Sequence, residues 1–279
     1  MDFVKYHGLG NDFAIVDLRQ GGAMPDDQTV QAVCQRRFGV GADGILALLP
    51  ADGVAAQMVV INADGSRPEM CGNGLRCVAA YLTEDQPGHV DVLTDAGVYP
   101  CNVALHDGVP WVDVAMGHVS FDPVLAGAHG PCSEGWLELE VAGVITRLYV
   151  ASTGNPHAIC VVTDPDFDLR AAAERLGPAL STHEAFANGA NVTWIRPQGQ
   201  SAQMVVHERG AGLTLACGTG ACAAAGVLVK LGFLQADEPA RIELPGGPLD
   251  ITVGSGGADK SGPVVMKGPA QRVFAGRWG

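Results

Sequence analysis

Lysine is scarce in this chain. Only Lys5, Lys230, Lys260 and Lys267 occur in 279 residues, and none stands in a phosphate-cradling context, so a pyridoxal phosphate enzyme with its Schiff-base lysine is disfavoured. Basic charge is scarce altogether: 17 Lys and Arg face 30 Asp and Glu, a net charge of -13. Nucleic acid and anionic membrane surfaces need clustered cations, which argues against both as partners and leaves small molecules as the expected ligands. No apolar run approaches the ~18 residues of a membrane span, and no charged segment followed by an apolar run opens the chain. The expected location is the cytoplasm. Among eight cysteines there is no Cys-x-x-Cys pair, and the spacings do not resemble zinc ligation, so no metal is expected. Without a secretion signal, reduced thiols are the default. Cys34, Cys77, Cys101, Cys132, Cys160 and Cys222 read most economically as small core residues.

The other two cysteines belong to a pattern that the chain states twice. Cys71-Gly72-Asn73-Gly74 and Cys217-Gly218-Thr219-Gly220 each run into an apolar stretch. Asn62 lies nine residues before Cys71, and Glu208 lies nine before Cys217. The pairs Gly10-Asn11 and Gly154-Asn155 precede their cysteines by 60 and 62 residues. Gly41-Ala42-Asp43 and Gly189-Ala190-Asn191 sit 28 and 26 residues ahead. Four landmarks in one order in both halves point to two copies of one structural unit, each offering a cysteine at a helix start. The chain length agrees with two halves of roughly 130 to 140 residues.

A coarse pass along the chain gives an α+β class of two pseudo-symmetric domains, each many short strands around one hydrophobic helix. Residues 3–18 read as two strands about Gly8-Leu9-Gly10, residues 27–38 as a helix stopped by Gly39, and residues 45–49 and 57–61 as strands. Apolar helices are predicted after Cys71 and over residues 218–231, with Gly232 as stop. A surface helix is predicted within residues 164–176. Turn clusters at Asp107-Gly108 and at residues 131–135, 197–199, 245–247 and 254–257 suit a strand-rich fold. The halves are placed at residues 1–116 and 117–265, with the tail 266–279 returning to the first. Gly39-Val40-Gly41-Ala42-Asp43-Gly44 matches Gly-x-Gly-x-x-Gly, but it follows a helix and precedes a strand, the reverse of a dinucleotide site.

A thiol at the first turn of a helix feels the positive end of the macrodipole, which lowers a cysteine pKa from ~8.5 into roughly the 3.5 to 7.5 range. One of the pair is then a candidate thiolate. Cys-Gly-x-Gly also lets backbone approach a ligand, so the amides of Gly72, Asn73, Gly218 and Thr219 are suited to one carboxylate. With an amino acid held there, one sulfur removes the α-proton and the other delivers a proton to the opposite face, inverting the carbon. The carbanion places charge on carboxylate oxygens at which fixed amides are aimed, so no electron-sink cofactor is required. Arg209, flanked by Glu208 and Gly210-Ala211-Gly212, is a candidate carboxylate clamp. His157 stands in a duplicated landmark. Asn11, Asn62, Asn155 and Asn191 are a set of neutral polar groups suited to an ammonium and a second carboxylate. A thiol redox protein, cycling the two cysteines through a disulfide, is the rival from another class. A non-catalytic amino acid binder leaves the second cysteine unexplained.

Six motifs resemble one known family, diaminopimelate epimerase: His7-Gly8-Leu9-Gly10-Asn11-Asp12-Phe13, Asn62-Ala63-Asp64-Gly65, Cys71-Gly72-Asn73-Gly74, Gly154-Asn155-Pro156-His157, His207-Glu208-Arg209-Gly210 and Ala216-Cys217-Gly218-Thr219-Gly220. The resemblance implies two similar domains, each a strand-rich barrel around a central helix. It also implies cofactor-independent, two-base epimerisation of L,L- to meso-diaminopimelate in lysine and cell-wall precursor synthesis, by a homodimer. By matching motif, Cys71 and Cys217 are acid and base. His157 and Glu208 assist the thiols. The amides of Gly72, Asn73, Gly218 and Thr219 hold the reacting carboxylate, and Asn11, Asn62, Asn155, Asn191, Glu208 and Arg209 bind the distal end. Gly44 stands where many members carry Gln, and Leu213 replaces an expected Glu. These departures motivate an alternative, a racemase of another amino acid on the same scaffold.

Overall fold

A computed structural model describes residues 1–129, 132, 135–257 and 259–279. The described residues form 17 strands and four helices. The predicted turn at residues 131–135 lies largely outside them.

The chain divides into two compact units, Met1–Ala115 with Lys267–Gly279, and Met116–Met266. The first opens with β1 (Asp2–Gly8) and β2 (Asn11–Asp17), α1 (Asp27–Cys34), β3 (Gly44–Leu49), β4 (Ala56–Asn62), α2 (Gly72–Leu82), β5 (Gly88–Thr94), β6 (Gly97–His106) and β7 (Val109–Ser120), the last crossing the division. The second holds β8 (Trp136–Val141), β9 (Val144–Ser152), β10 (Pro156–Val161), α3 (Leu169–Ser181), β11 (Asn191–Gln198), β12 (Ser201–Glu208), β13 (Gly212–Leu213), α4 (Gly218–Lys230), β14 (Pro239–Leu244), β15 (Gly247–Val253) and most of β16 (Lys260–Pro269). The chain ends on β17 (Gln271–Arg277), in the first unit.

Each unit repeats one ladder. In the first, β1 pairs antiparallel with β2, β2 parallel with β3 across α1, β3 antiparallel with β4, β4 parallel with β5 across α2, and β5 antiparallel with β6. In the second, β9, β10, β11, β12, β14 and β15 follow the same alternation, with α3 and α4 as the crossovers. The landmark duplication in the sequence is therefore matched strand for strand. β17 pairs antiparallel with β1, β6 with β7, and the Ala270 amide donates to Pro110 O at 3.0 Å, bringing the two ends of the first unit's strand run together. In the second unit Ser120 pairs with Ser152 of β9, and the Ser261 hydroxyl accepts the Val119 amide at 2.9 Å.

The enclosed helices are the apolar ones. Every residue from Gly72 to Ala80 of α2 is buried, and it packs against β1, β2, β4, β5, β6 and β17. In α4, Gly-Thr-Gly-Ala-Cys-Ala-Ala-Ala-Gly-Val-Leu-Val-Lys is small and apolar on all sides, the pattern of a helix with no wet face. A Cβ at Gly226 would fall 2.9 Å from Val119 Cγ2, so glycine there sets how closely β7 approaches. Gly232, at φ +77°, stops the helix as expected, with its amide on Val229 O.

Three expectations need correction. α1 ends at Cys34 rather than Phe38, and Phe38 is 88% exposed. The residues after the helix turn away so that Arg36 can reach Asp12 and Asp43. α3 starts within the predicted segment, capped by Asp168 on the Ala171 amide at 2.9 Å, but runs past its end through Pro178 to Ser181. Nor is it only a surface helix: Leu169, Ala172, Ala173, Leu176 and Leu180 pack into a core with Trp194 and Phe186. Finally, Cys34, Cys77, Cys101 and Cys222 are buried, but Cys132 and Cys160 are only half-buried.

Candidate active site

The first unit's site begins at a two-residue hairpin. Leu9 and Gly10, at φ +57° and +85°, form the tight turn that places Asn11 opposite Gly8. A Cβ on Gly8 would sit 2.8 Å from Arg76 Nη2 and 3.4 Å from Asn73 O, so glycine lets the first turn of α2 lie against the hairpin. Asn73 Nδ2 then donates to Asn11 Oδ1 at 3.0 Å, and Asn11 Nδ2 to Asp43 Oδ2 at 2.7 Å. Asp43 also accepts the Asp12 amide at 3.1 Å and Arg36 Nη2 at 2.6 Å. Asp12 is buried, and burial opposes its charge, yet Arg36 at 2.8 Å and Lys5 at 2.7 Å outweigh that and lower its pKa. Lys5, Asp12, Arg36 and Asp43 were not singled out from sequence as a network. Cys71 is the N-cap of α2: its sulfur accepts the Gly74 amide at 3.4 Å and its side chain is partly exposed. Asn62 pairs with Gly44 and donates to Ser66 Oγ at 2.9 Å. A Cβ at Gly44 would meet Ile61 O at 2.6 Å, so this backbone has no room for the larger side chain the resemblance suggests there.

The second unit assembles its residues around Cys217, the N-cap of α4. Unlike Cys71, this thiol is buried, and its sulfur lies 3.6 Å from Thr219 Oγ1. Asn155 Nδ2 donates to the same hydroxyl at 3.3 Å, and Asn155 Oδ1 lies 2.9 Å from His157 Nε2. Glu208 hydrogen-bonds the Cys217 sulfur and accepts the Thr214 hydroxyl at 2.5 Å. Asn191 Oδ1 accepts the Arg209 amide at 2.9 Å and its Nδ2 donates to Pro156 O at 3.3 Å. The exposed Arg209 guanidinium gives one N–H to Asn188 O at 2.6 Å. Leu213 of β13 pairs with His207 of β12.

The electrostatics of this half depart from the helix-start expectation. Burial and then the Glu208 charge push the Cys217 thiol well above its ordinary range, outweighing the Thr219 hydroxyl, so Cys217 rests protonated. His157 is fully buried, and that burial, with Arg209 nearby, drives its pKa down to about 3. It carries no charge near neutrality, and its hydrogen bond to Asn155 leads on through Thr219 to the Cys217 sulfur. Among the described residues no group of three or more His, Cys, Asp or Glu is arranged to hold a metal.

The fold is shared with solved structures of distant sequence. A probable proline racemase from Agrobacterium radiobacter superposes with a TM-score of 0.70 at 14% identity, covering 100% of this chain and 92% of that one. A PhzF-family phenazine biosynthesis protein from Bacillus anthracis does so with 0.69 at 14% identity, covering 99% and 97%. These likenesses establish the fold class. Sequence narrows it. The diaminopimelate epimerase family model matches residues 3–121 and 149–273. Diaminopimelate epimerase from Nostoc punctiforme is 40% identical over 295 residues, covering 99% of both chains. That from Desulforudis audaxviator is 41% identical over 285 residues, covering 100% of this chain and 99% of the relative. The chain belongs to the diaminopimelate epimerase family.

Proposed function

We propose that this protein epimerises L,L-diaminopimelate to meso-diaminopimelate by two-base chemistry, supplying lysine and peptidoglycan precursor synthesis. The observation that carries the reading is the pair of cysteines capping α2 and α4, each followed by Gly-x-Gly, in a chain about 40% identical end to end to proteins of that name. One sulfur takes the α-proton and the other returns a proton to the opposite face. The first amides of a helix have no partner within it, so those of Gly72, Asn73, Gly218 and Thr219 are suited to the carboxylate on which carbanion charge accumulates. Asn11, Asn62, Asn155, Asn191 and Arg209 bind the distal amino acid end, with Glu208 serving both that end and the Cys217 sulfur. Cys217, protonated at rest, is the acid in the direction for which Cys71 is the base. The reaction needs no organic cofactor or metal. A cytoplasmic homodimer is the expected form.

The test is proton exchange. In heavy water, without added cofactor, deuterium should enter one α-carbon of diaminopimelate, and Cys71→Ala or Cys217→Ala should abolish epimerisation. Full turnover by either variant would refute the two-base reading. Faster exchange into another amino acid in the same assay would redirect the substrate.

A further inference from the structure

In the second unit a run of hydrogen bonds leads from a buried imidazole to the Cys217 sulfur, and the proton on each link can be assigned. A neutral imidazole carries one N–H. His157 Nδ1 is buried without a partner, whereas Nε2 lies 2.9 Å from Asn155 Oδ1, so the proton belongs on Nε2. Asn155 Oδ1 also accepts the Thr153 hydroxyl at 3.1 Å. With two donors on its oxygen, the amide has one orientation, and its Nδ2 donates to Thr219 Oγ1 at 3.3 Å. That hydroxyl therefore accepts from Asn155 and must send its own proton elsewhere. The Cys217 sulfur is 3.6 Å away. The sulfur is also hydrogen-bonded to the Glu208 carboxylate, which only accepts, so the thiol proton goes to Glu208 and is not available to Thr219.

We propose that the Thr219 hydroxyl is the hydrogen-bond donor that holds the Cys217 sulfur, with Asn155, Thr153 and His157 as the positioning residues that fix its direction. The donor remains when the thiol gives up its proton, so it favours the thiolate at the sulfur it faces. Glu208 is the charged group acting on the sulfur in the opposite sense, and Arg209 acts on His157. In the first unit Asn73 occupies the position that matches Thr219, and the Gly74 amide donates to the Cys71 sulfur at 3.4 Å. The catalytic meaning of this arrangement rests on the reading of Cys217 as an acid–base group.

The experiment follows the ionisation of Cys217 in the full-length protein. Thiolate absorbance is titrated as the difference between each protein and its Cys217→Ser counterpart, and iodoacetamide alkylation of Cys217 is mapped by mass spectrometry. Thr219→Val should raise the midpoint and slow alkylation at fixed pH about tenfold. Thr219→Ser should restore both, and Glu208→Gln should shift the midpoint down. Thr219→Ala serves in the same role if the valine variant does not fold. A downward shift in Thr219→Val would mean that the sulfur had been the donor, and no shift would mean that the hydroxyl does not bear on it. Either result overturns the proposal. Neither readout requires turnover, so failure here is distinct from failure of the epimerase reading, which the deuterium assay reports.

Discussion

His157 shows how one side chain can tie stability to pH without itself titrating near neutrality. Its imidazole is fully buried with a folded pKa of about 3, against an ordinary value near 6.5. The unfolded chain therefore binds a proton between these values that the folded chain does not. Stability from this group is complete above about pH 6.5 and is lost as pH falls toward 3. Between pH 7 and 5 the loss should be about 2 kcal/mol. His157→Gln keeps a donor for Asn155 but removes the titration, so urea unfolding of that variant should have a flatter pH dependence across this interval. Identical slopes in the two proteins would show that the imidazole is not buried neutral. The cysteine is the opposite case. Cys217 has its pKa raised, so its contribution is present below the unfolded thiol range and is lost as pH rises above it.

At the scale of an element, α3 sets local propensity against packing. Alanine normally stabilises a helix interior by up to about 1 kcal/mol over glycine. At Gly177, however, a Cβ would lie 2.6 Å from His207 Cγ and 2.7 Å from its Cβ, on a strand that cannot retreat without disturbing Glu208 at its end. Gly177→Ala should therefore destabilise, by about 1 to 3 kcal/mol, as a lowered urea midpoint. A higher midpoint would mean that β12 yields more readily than its pairing suggests. The same contrast decides what could be read from the sequence. Cysteines at helix starts were legible because Cys-Gly-x-Gly followed by an apolar run is a local pattern, and so were the glycine stop of α4 and the Leu9-Gly10 turn. The end of α1 was not, because Arg36 leaves the helix for the carboxylates of Asp12 and Asp43, and such pairing leaves no periodic trace. Nor was the length of α3, where Pro178 falls on the exposed side and a helix can continue past it. Which of the two cysteines rests protonated was not legible for a related reason: the helix start is visible in sequence, but the burial of Cys217 and a glutamate from another strand are not.

For the molecule as a whole, the most consequential feature is that one unit is contiguous in the chain and the other is not. Met116–Met266 is a single segment, whereas the first unit needs Lys267–Gly279 to complete it. That return segment does more than cover a surface. β17 supplies the antiparallel partner of β1, Phe274 packs edge-on to Phe3 at 5.8 Å, the Trp278 amide bonds Met1 O at 2.9 Å, and Arg76 of α2 donates to Pro269 O at 3.2 Å. Removing residues 271–279 would leave one edge of β1 without its ladder and open one side of the sheet that encloses α2. The truncated protein should therefore lose amide exchange protection in β1 and in α2, with the Cys71 end of that helix affected, while β9 to β12 and α4 keep theirs. Diaminopimelate turnover should fall with the loss at α2, although every proposed catalytic and substrate-binding residue is still present. Peptide-resolved hydrogen exchange on the full and truncated chains measures both halves at once. Full protection of residues 2–8 in the truncated chain would show that β17 is dispensable to the first unit, and uniform loss across both units would show that they do not unfold independently.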